Sequence, residues 1–241
     1  MRCAPRLRHP LTALLFACAC QALAGDTGTA LDRYLNGLTT LRTGFTQTVS
    51  DTQGKQIEQG EGTLLVQRPG KFRWDYTPHR AGQSVGPSAG PSAGPSAREG
   101  GDGAAAAAGG QLLVADGRNL WFYDRELAQA TVKPESSALS ATPMLLLSGS
   151  ADQLRQMFEI EAGGTHDGMD WVRVKPRSAD GDFGAAELGF SRDQLSRMTV
   201  TDRLGQTVQM DFTHSERNVR VSAEDLQFQP PAGVDVIGTA Q

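Results

Sequence analysis

The chain has 241 residues and a net charge of −4, and past its first residues no segment approaches the ~20 apolar residues that a membrane-spanning helix needs. An acidic chain lacks the basic surface that attracts nucleic acid or anionic lipid head groups, so both are excluded as partners. The length is enough for a sizeable core, and no linker separates two complete patterns, so we expect one domain over residues 25–241.

The first residues have the composition of a removable export signal. Arg2, Arg6 and Arg8 form a positive region, and residues 11–23 form an apolar run that is too short to span a membrane. Small residues flank a cleavage position after Ala24. We therefore expect residues 1–24 to be removed, which leaves an exported protein with 20 basic and 27 acidic residues and a net charge of −7.

All three cysteines lie in that signal: Cys3, Cys18 and Cys20. The mature chain would then have no thiol for a disulfide, a metal site or a nucleophile. One alternative is that Leu15-Phe16-Ala17-Cys18 acts as a lipoprotein cleavage box and leaves Cys18 as a lipidated N-terminus, although Phe16 fits such a box poorly.

One amphipathic helix is predicted after the polar residues 26–29. Its apolar residues recur at helical spacing, namely Leu31, Tyr34, Leu35, Leu38 and Leu41.

Most of the remaining chain has strand patterns. The Asp116-Gly117 pair is a hairpin signal between two of these strands. Short strands with local turns predict an antiparallel meander that curls into an open or closed barrel. The predicted strands cover residues 45–49, 57–67, 71–76, 111–115, 120–123, 131–133, 158–162, 171–175, 187–191, 198–202 and 208–212.

A segment of unusual composition lies between the third and fourth of these strands. Residues 81–110 contain three GPSA units within 86–97 and then a run rich in glycine and alanine. Almost no large apolar residue is present, so we predict a disordered insertion in a hairpin loop.

Two short helices are predicted in the middle of the meander. Thr142 can cap the first, with Pro143 at its first position, and Ser150 with Gln153 forms a capping box for the second. Residues 144–147 are apolar on all sides, so this helix must be buried from two directions. It is either ordinary core that plugs the barrel or a mobile lid over a cavity.

The sequence does not favour catalysis or metal binding. His79, His166 and His214 have no close partner at metal-ligand spacing, and Ser148-Gly149-Ser150 lacks the glycine pattern of a hydrolase elbow. We expect a protein that is not an enzyme and holds no cofactor and no metal, with a lipid-modifying hydrolase as an alternative. The chain also lacks a phosphate-binding loop, so any ATP must be hydrolysed by a partner.

Six segments together resemble the LolA family of periplasmic outer-membrane lipoprotein carriers. They occur in the family's order and spacing across nearly the whole mature chain: FTQ (45–47), QRPGKFRW (67–74), VADGRNLWFYD (114–124), QATV (129–132), TPMLLL (142–147) and DLQFQPPAGVDV (225–236).

The resemblance implies an α+β fold that is mainly β, an unclosed antiparallel β-barrel (half-barrel) with a short-helix lid over a hydrophobic cavity. It implies a monomeric periplasmic chaperone that shields the acyl chains of its lipoprotein cargo. It also implies two partners, an inner-membrane ABC transporter that loads the carrier and an outer-membrane receptor that unloads it. An outer-membrane-anchored receptor of the same fold is the alternative, and it requires a lipidated cysteine.

The resemblance also assigns roles to particular residues. Arg68 is expected to latch the lid, where its donors suit the free carbonyls near Leu35 and the 146–148 turn. Without the resemblance, Arg68 is a solvated arginine before a turn proline, and strand aromatics are ordinary core. Acyl-chain binding or the cavity mouth is assigned to Phe72, Trp74 and Trp121 on strands and to Leu31, Leu35, Leu41, Met144 and Leu147 in the lid.

Overall fold

A computed structural model describes residues 28–79, 109–135, 143–178 and 183–241, with the side chain of residue 183 excepted. The predicted export signal, the cap at Thr142 and nearly all of the predicted insertion lie outside the described residues.

In the first half of the chain, the described residues include one helix and six strands. Helix α1 spans Ala30–Leu35. The strands are β1 (Thr40–Ser50), β2 (Gln56–Gln67), β3 (Lys71–Pro78), β4 (Gln111–Ala115), β5 (Asn119–Asp124) and β6 (Gln129–Pro134).

The second half begins with two short helices, which we number α2 (Leu145–Ser148) and α3 (Ala151–Met157). The strands that follow are β7 (Phe158–His166), β8 (Met169–Pro176), β9 (Phe183–Ser191), β10 (Gln194–Asp202) and β11 (Thr207–Arg217). A 3-10 helix at Glu224–Leu226 and a short strand β12 (Asp235–Ile237) complete the chain.

All twelve strands belong to one sheet in the order β12-β6-β5-β4-β3-β2-β1-β11-β10-β9-β8-β7. Successive strands within each half pair antiparallel, and β1 joins the halves by pairing with β11. Strand β12 pairs parallel with β6, which the sequence did not predict. Because β7 and β12 do not pair with each other in the described residues, the barrel is unclosed.

The topology brings α2 and α3 across the sheet. Strand β6 lies near one end of the strand order and β7 lies at the other end, so the chain between them must cross from one edge of the sheet to the other. Helices α2 and α3 lie on this crossing, and their apolar side chains pack on the sheet's inner face. They are therefore placed where a lid would be.

The predicted first helix is too long. Thr29 and Asp32 form a capping box at its start, but Asn36 is already extended and Gly37 has φ +68°, a conformation that favours glycine. Leu41 consequently lies on β1 rather than on the helix. Its apolar side chain is buried as predicted, but by strand packing, so its assignment to the lid is wrong.

The core lies on the inner, concave face of the sheet. Residues of both halves belong to the same buried cluster, including Phe72 on β3, Phe190 on β9 and Met198 on β10. Side chains from α1, α2 and α3 complete it. The sheet is therefore curved around a single apolar interior that the helices cover.

A second, smaller cluster lies on the outer face. Leu112, Val114, Trp121 and Val132 are buried there, and Phe228 of the C-terminal segment packs against Trp121 with ring centroids 5.5 Å apart. The C-terminal segment thus covers the outer face of β4, β5 and β6.

Replacing residues 82–107 with a four-residue turn is expected to preserve the fold. Strands β3 and β4 pair directly up to Tyr76 and Gln111, so they need no contact from the insertion to find their register. The shorter loop should raise the free energy of unfolding by about 2 kcal/mol or less, since closure entropy changes by ~0.6 kcal/mol per doubling. Equilibrium urea unfolding measures this, and a loss of stability would show that the insertion packs on the sheet.

Candidate functional site

The candidate site is the apolar interior between the inner face of the sheet and its helices. Alternate side chains of β3, those of Phe72, Trp74 and Tyr76, point to the inner face. The side chains of Leu64 and Val66 on β2 point to the same face. The structure thus brings Phe72 and Trp74 together as neighbours on one strand.

A cluster of three aromatic rings lines this interior. The ring of Trp74 lies 5.8 Å from that of Phe45 and 5.2 Å from that of Tyr76, and the rings of Phe45 and Tyr76 are 6.5 Å apart. Two glycines of β2 make room for this aromatic cluster, because a Cβ at Gly60 would collide with the Tyr76 ring and one at Gly62 would collide with Phe45. The pattern QGEGT could have signalled this, since glycine inside a strand often marks a close approach by another group.

The lid consists of α1, α2 and α3. Leu31 and Leu35 of α1, Leu146 and Leu147 of α2, and Leu154 of α3 are all buried against the sheet. Ser150 and Gln153 form the predicted capping box that starts α3. The lid's own leucines therefore occupy the apolar interior of this closed form.

Arg68 connects the sheet to both parts of the lid. Its Nη1 donates to the carbonyl oxygens of Leu35 at 2.9 Å and Leu38 at 3.3 Å, just past the end of α1. Its Nε and Nη2 both donate to the carbonyl of Gly149, at 3.0 and 2.8 Å, which caps the end of α2. One planar guanidinium thus satisfies carbonyls of both helix ends.

Burial lowers the pKa of Arg68 below its usual value, with a smaller opposing effect from Tyr34. An arginine stays protonated in proteins despite such a shift, so the bonds to the carbonyls are charge-assisted. Bonds of this kind contribute about 1.5–3 kcal/mol, and the partial exposure of Arg68 places it toward the lower end. That strength can bias the lid toward closure and still permit it to open.

Arg217 makes a second connection that the sequence did not predict. From the end of β11 its Nη2 donates to the carbonyl oxygens of Tyr34 at 2.8 Å and Asn36 at 3.3 Å. The guanidinium carbon also lies 5.0 Å from the centroid of the Tyr34 ring, in a cation-π arrangement. No local pattern marks this residue, because its partners are backbone carbonyls more than 180 positions earlier in the chain.

Helix α1 makes more hydrogen bonds and ion pairs with the sheet than α2 does. Helix α1 is bound by Arg68, by Arg217 and by ion pairs from Arg33 to Asp170 and Asp193, although those ion pairs are exposed. Helix α2 is bound by Arg68 and by a bond from the Gly70 N–H to the Ser148 carbonyl at 2.8 Å. Fewer polar contacts therefore hold α2 to the sheet than hold α1.

A cleft of about 470 Å³ lies at the surface between α1 and α3. Leu31 and Leu35 line one side, and Leu154 and Ile160 line the other. The exposed ion pair between Arg155 and Asp32, at 3.3 Å, crosses it. The cleft also has polar lining residues, Arg33 and Asn36 among them, and the lid can part along it once the exposed ion pair separates.

Trp121 does not lie in the interior, which corrects the position that the sequence analysis gave it. Its neighbours along β5, Leu120 and Phe122, point to the inner face, so alternation directs Trp121 outward into the cluster with Phe228. The resemblance placed it in a strand but could not assign the strand's face. Met144 is half-buried at the start of α2 and packs against the main core.

The described residues assemble no candidate metal centre. No group of three or more histidine, cysteine, aspartate or glutamate side chains is assembled among them. His166 stacks on Trp171 at the surface, with ring centroids 5.0 Å apart. None of the helices in the described ranges has the length and apolar character needed to cross a bilayer.

The chain matches a family model described as outer membrane lipoprotein carrier protein LolA over residues 36–83 and 107–229. The unmatched residues 84–106 fall within the predicted insertion.

Three similar proteins are each named outer-membrane lipoprotein carrier protein. The one from Methylococcus capsulatus is 35% identical over 86% of this chain and 85% of its own length. The one from Methylobacillus flagellatus is 31% identical over 90% and 91%. The one from Dechloromonas aromatica is 35% identical over 86% of both chains.

The hydroxyl of Tyr34 should make the folded protein less stable as the pH rises above 10. Burial raises the pKa of Tyr34 to about 12, while Arg217 and Arg68 oppose the shift. A raised pKa in the folded state contributes stability that is complete below pH 10, the pKa of an unfolded tyrosine, and is lost as the pH rises toward 12. Urea unfolding of wild type and Tyr34→Phe should diverge by about 2 kcal/mol over this range. Parallel curves would show that the hydroxyl contacts solvent.

Proposed function

The chain belongs to the outer membrane lipoprotein carrier family, and we infer from this membership that it carries lipoproteins toward the outer membrane and shields their acyl chains in the interior beneath its lid. The observation that carries the proposal is the apolar inner face, which, among the described residues, is covered by short helices and not by a second sheet.

The physical need for such a carrier follows from the cost of exposing acyl chains to water. Each methylene contributes ~0.8 kcal/mol, so three long chains would cost tens of kcal/mol in free aqueous transfer. An apolar container removes most of that cost. The interior behind Phe72, Trp74 and the lid leucines provides apolar surface of the required kind.

Cargo and lid compete for the same surface. In the closed form Leu31, Leu146, Leu147 and Leu154 fill the interior, so acyl chains can enter only when the lid moves away. Closure of the empty lid then offsets part of the free energy of holding cargo. The carrier can consequently bind cargo and still release it.

Transfer in and out requires partners, since the apolar interior supplies no energy of its own. We propose that an inner-membrane ABC transporter loads the protein and that an outer-membrane receptor unloads it. The carrier acts as a periplasmic monomer without catalysis. The names of the three relatives, which describe lipoprotein carriers, support the carrier role.

The central experiment is intact mass spectrometry of the exported protein, followed by incubation with membranes that contain a triacylated lipoprotein. An unmodified start near residue 25 and a soluble one-to-one complex are the expected result. A diacylglycerol on Cys18 would identify a membrane-bound receptor instead. Hydrolysis of an acyl ester would indicate an enzyme, and an unmodified protein that solubilises no lipoprotein would refute the carrier function.

The Arg68→Leu variant is expected to hold cargo longer. Loss of the bonds to Leu35, Leu38 and Gly149 destabilises the closed empty state, so closure competes less well with cargo. Release to the receptor should slow by roughly tenfold, which corresponds to the loss of one charge-assisted contact. The measurement is the rate at which a preformed complex transfers its lipoprotein to purified receptor.

Two variants control this experiment. Arg68→Lys keeps the charge and loses the planar fork, so its rate should fall between those of wild type and Arg68→Leu. Arg173→Leu removes an exposed arginine that pairs with Glu187 away from the lid, and it should transfer cargo as wild type does. A wild-type rate for Arg68→Leu would show that Arg68 does not latch the lid.

A further inference from the structure

Two hydrogen-bond donors in the interior have no acceptor among the described residues. They are the hydroxyl of Tyr34 on α1 and the indole N–H of Trp74 on β3, and both polar atoms are shielded from solvent. Tyr34 is fully buried, and Trp74 is only 9% exposed. Both side chains belong to the apolar cluster between sheet and lid.

Unpaired donors of this kind are unusual, because a buried polar group without a partner destabilises the fold. Among the described residues only four buried side-chain polar atoms have no partner, and the other two, on His79 and Glu135, lie outside the apolar cluster. The hydroxyl of Tyr76 donates to Glu58 at 2.7 Å, and the indole N–H of Trp171 donates to the His166 carbonyl at 3.1 Å. Tyr34 and Trp74 are therefore exceptions that coincide with the proposed cargo chamber.

The two donors lie on different walls of that chamber. Trp74 belongs to the aromatic cluster of the first half of the sheet, with Phe45 and Tyr76. Tyr34 packs against Phe190 of β9 in the second half, with ring centroids 5.4 Å apart. A ligand that fills the chamber would thus meet a donor on each side.

A hydrocarbon chain has no hydrogen-bond acceptor for these donors. The ester or amide group that joins an acyl chain to the modified cysteine does have one. A triacylated cysteine has two ester carbonyls and one amide carbonyl, and a carbonyl oxygen is a strong acceptor. We propose that Tyr34 and Trp74 form a polar subsite that binds the ester carbonyl oxygens of acyl linkages when cargo displaces α2 and α3 while α1 stays on the sheet. This inference rests on the proposed carrier function and adds recognition of the linkage to recognition of the chains.

The subsite predicts a preference for ester-linked over ether-linked lipids, since ethers lack the carbonyl oxygen. The test compares two synthetic triacylated cysteine peptides of equal chain length, one with ester-linked and one with ether-linked glycerol chains. Partition of each peptide between the protein and phosphatidylcholine vesicles is measured after sedimentation. The ratio of the two partition coefficients is then compared between wild type and variants, which cancels the difference in hydrophobicity of the two peptides.

In Tyr34→Phe the ester-to-ether ratio should fall roughly three- to tenfold, as expected for the loss of one hydrogen bond. Trp74→Phe should lower it similarly, and the double variant should lower it further. Two matched controls should keep the wild-type ratio. Tyr123→Phe deletes a hydroxyl on the outer face, and Trp171→Phe deletes an indole that is already paired.

The outcomes separate this inference from the function on which it rests. If wild type binds both peptides and Tyr34→Phe and Trp74→Phe leave the ratio unchanged, the subsite does not exist and the carrier function stands. If wild type binds neither peptide, the carrier function fails. Thermal unfolding gives a second readout. Because Tyr34→Phe removes an unpaired hydroxyl, the variant should be at least as stable as wild type. A lower melting temperature would show that the hydroxyl has a partner in the empty protein and would overturn the subsite.

Discussion

The structure depends on one constraint, which is that the inner face of the sheet must be covered without a second sheet. Strands from both halves direct large apolar side chains to this face, and the cost of leaving them in water is greater than any single polar contact can offset. Three short helices meet the need, and two arginines hold the helix ends to the sheet through backbone carbonyls. A cover held by apolar packing and by side-chain donors at the helix ends, and not by a strand ladder, can be lifted without unfolding the strands beneath it.

The sequence predicted the strands well because their signals are local. All eleven predicted strands are present, and the Asp116-Gly117 hairpin and the Ser150 capping box lie where expected. The twelfth strand was missed, since three residues that pair in parallel with a distant strand have no alternating pattern to detect. The first helix was extended to Leu41 because leucines at helical spacing continued past Gly37, whose backbone conformation ends the helix.

The site was harder to predict than the fold, because faces and partners are set by tertiary structure. The contacts of Arg68 with helix-end carbonyls agree with those expected, although its role as a latch is still a proposal. Trp121 has the same residue type and strand context as Trp74, and only the register of β5 shows that it points outward. Arg217 could not be inferred at all, since its partners are main-chain atoms of a helix far away in the sequence.

The pairing of β1 with β11 has a consequence for how the protein reaches its folded state. These strands are separated by more than 150 residues, yet their ladder is the only link between the two meanders within the described sheet. Contacts of such long sequence separation form slowly, because the entropy of closing a large loop is lost before any ladder bond is gained. The aromatic cluster of the first meander therefore stays exposed to solvent until β11 pairs with β1. A newly made carrier is, for that interval, itself a polypeptide with exposed apolar surface and at risk of aggregation.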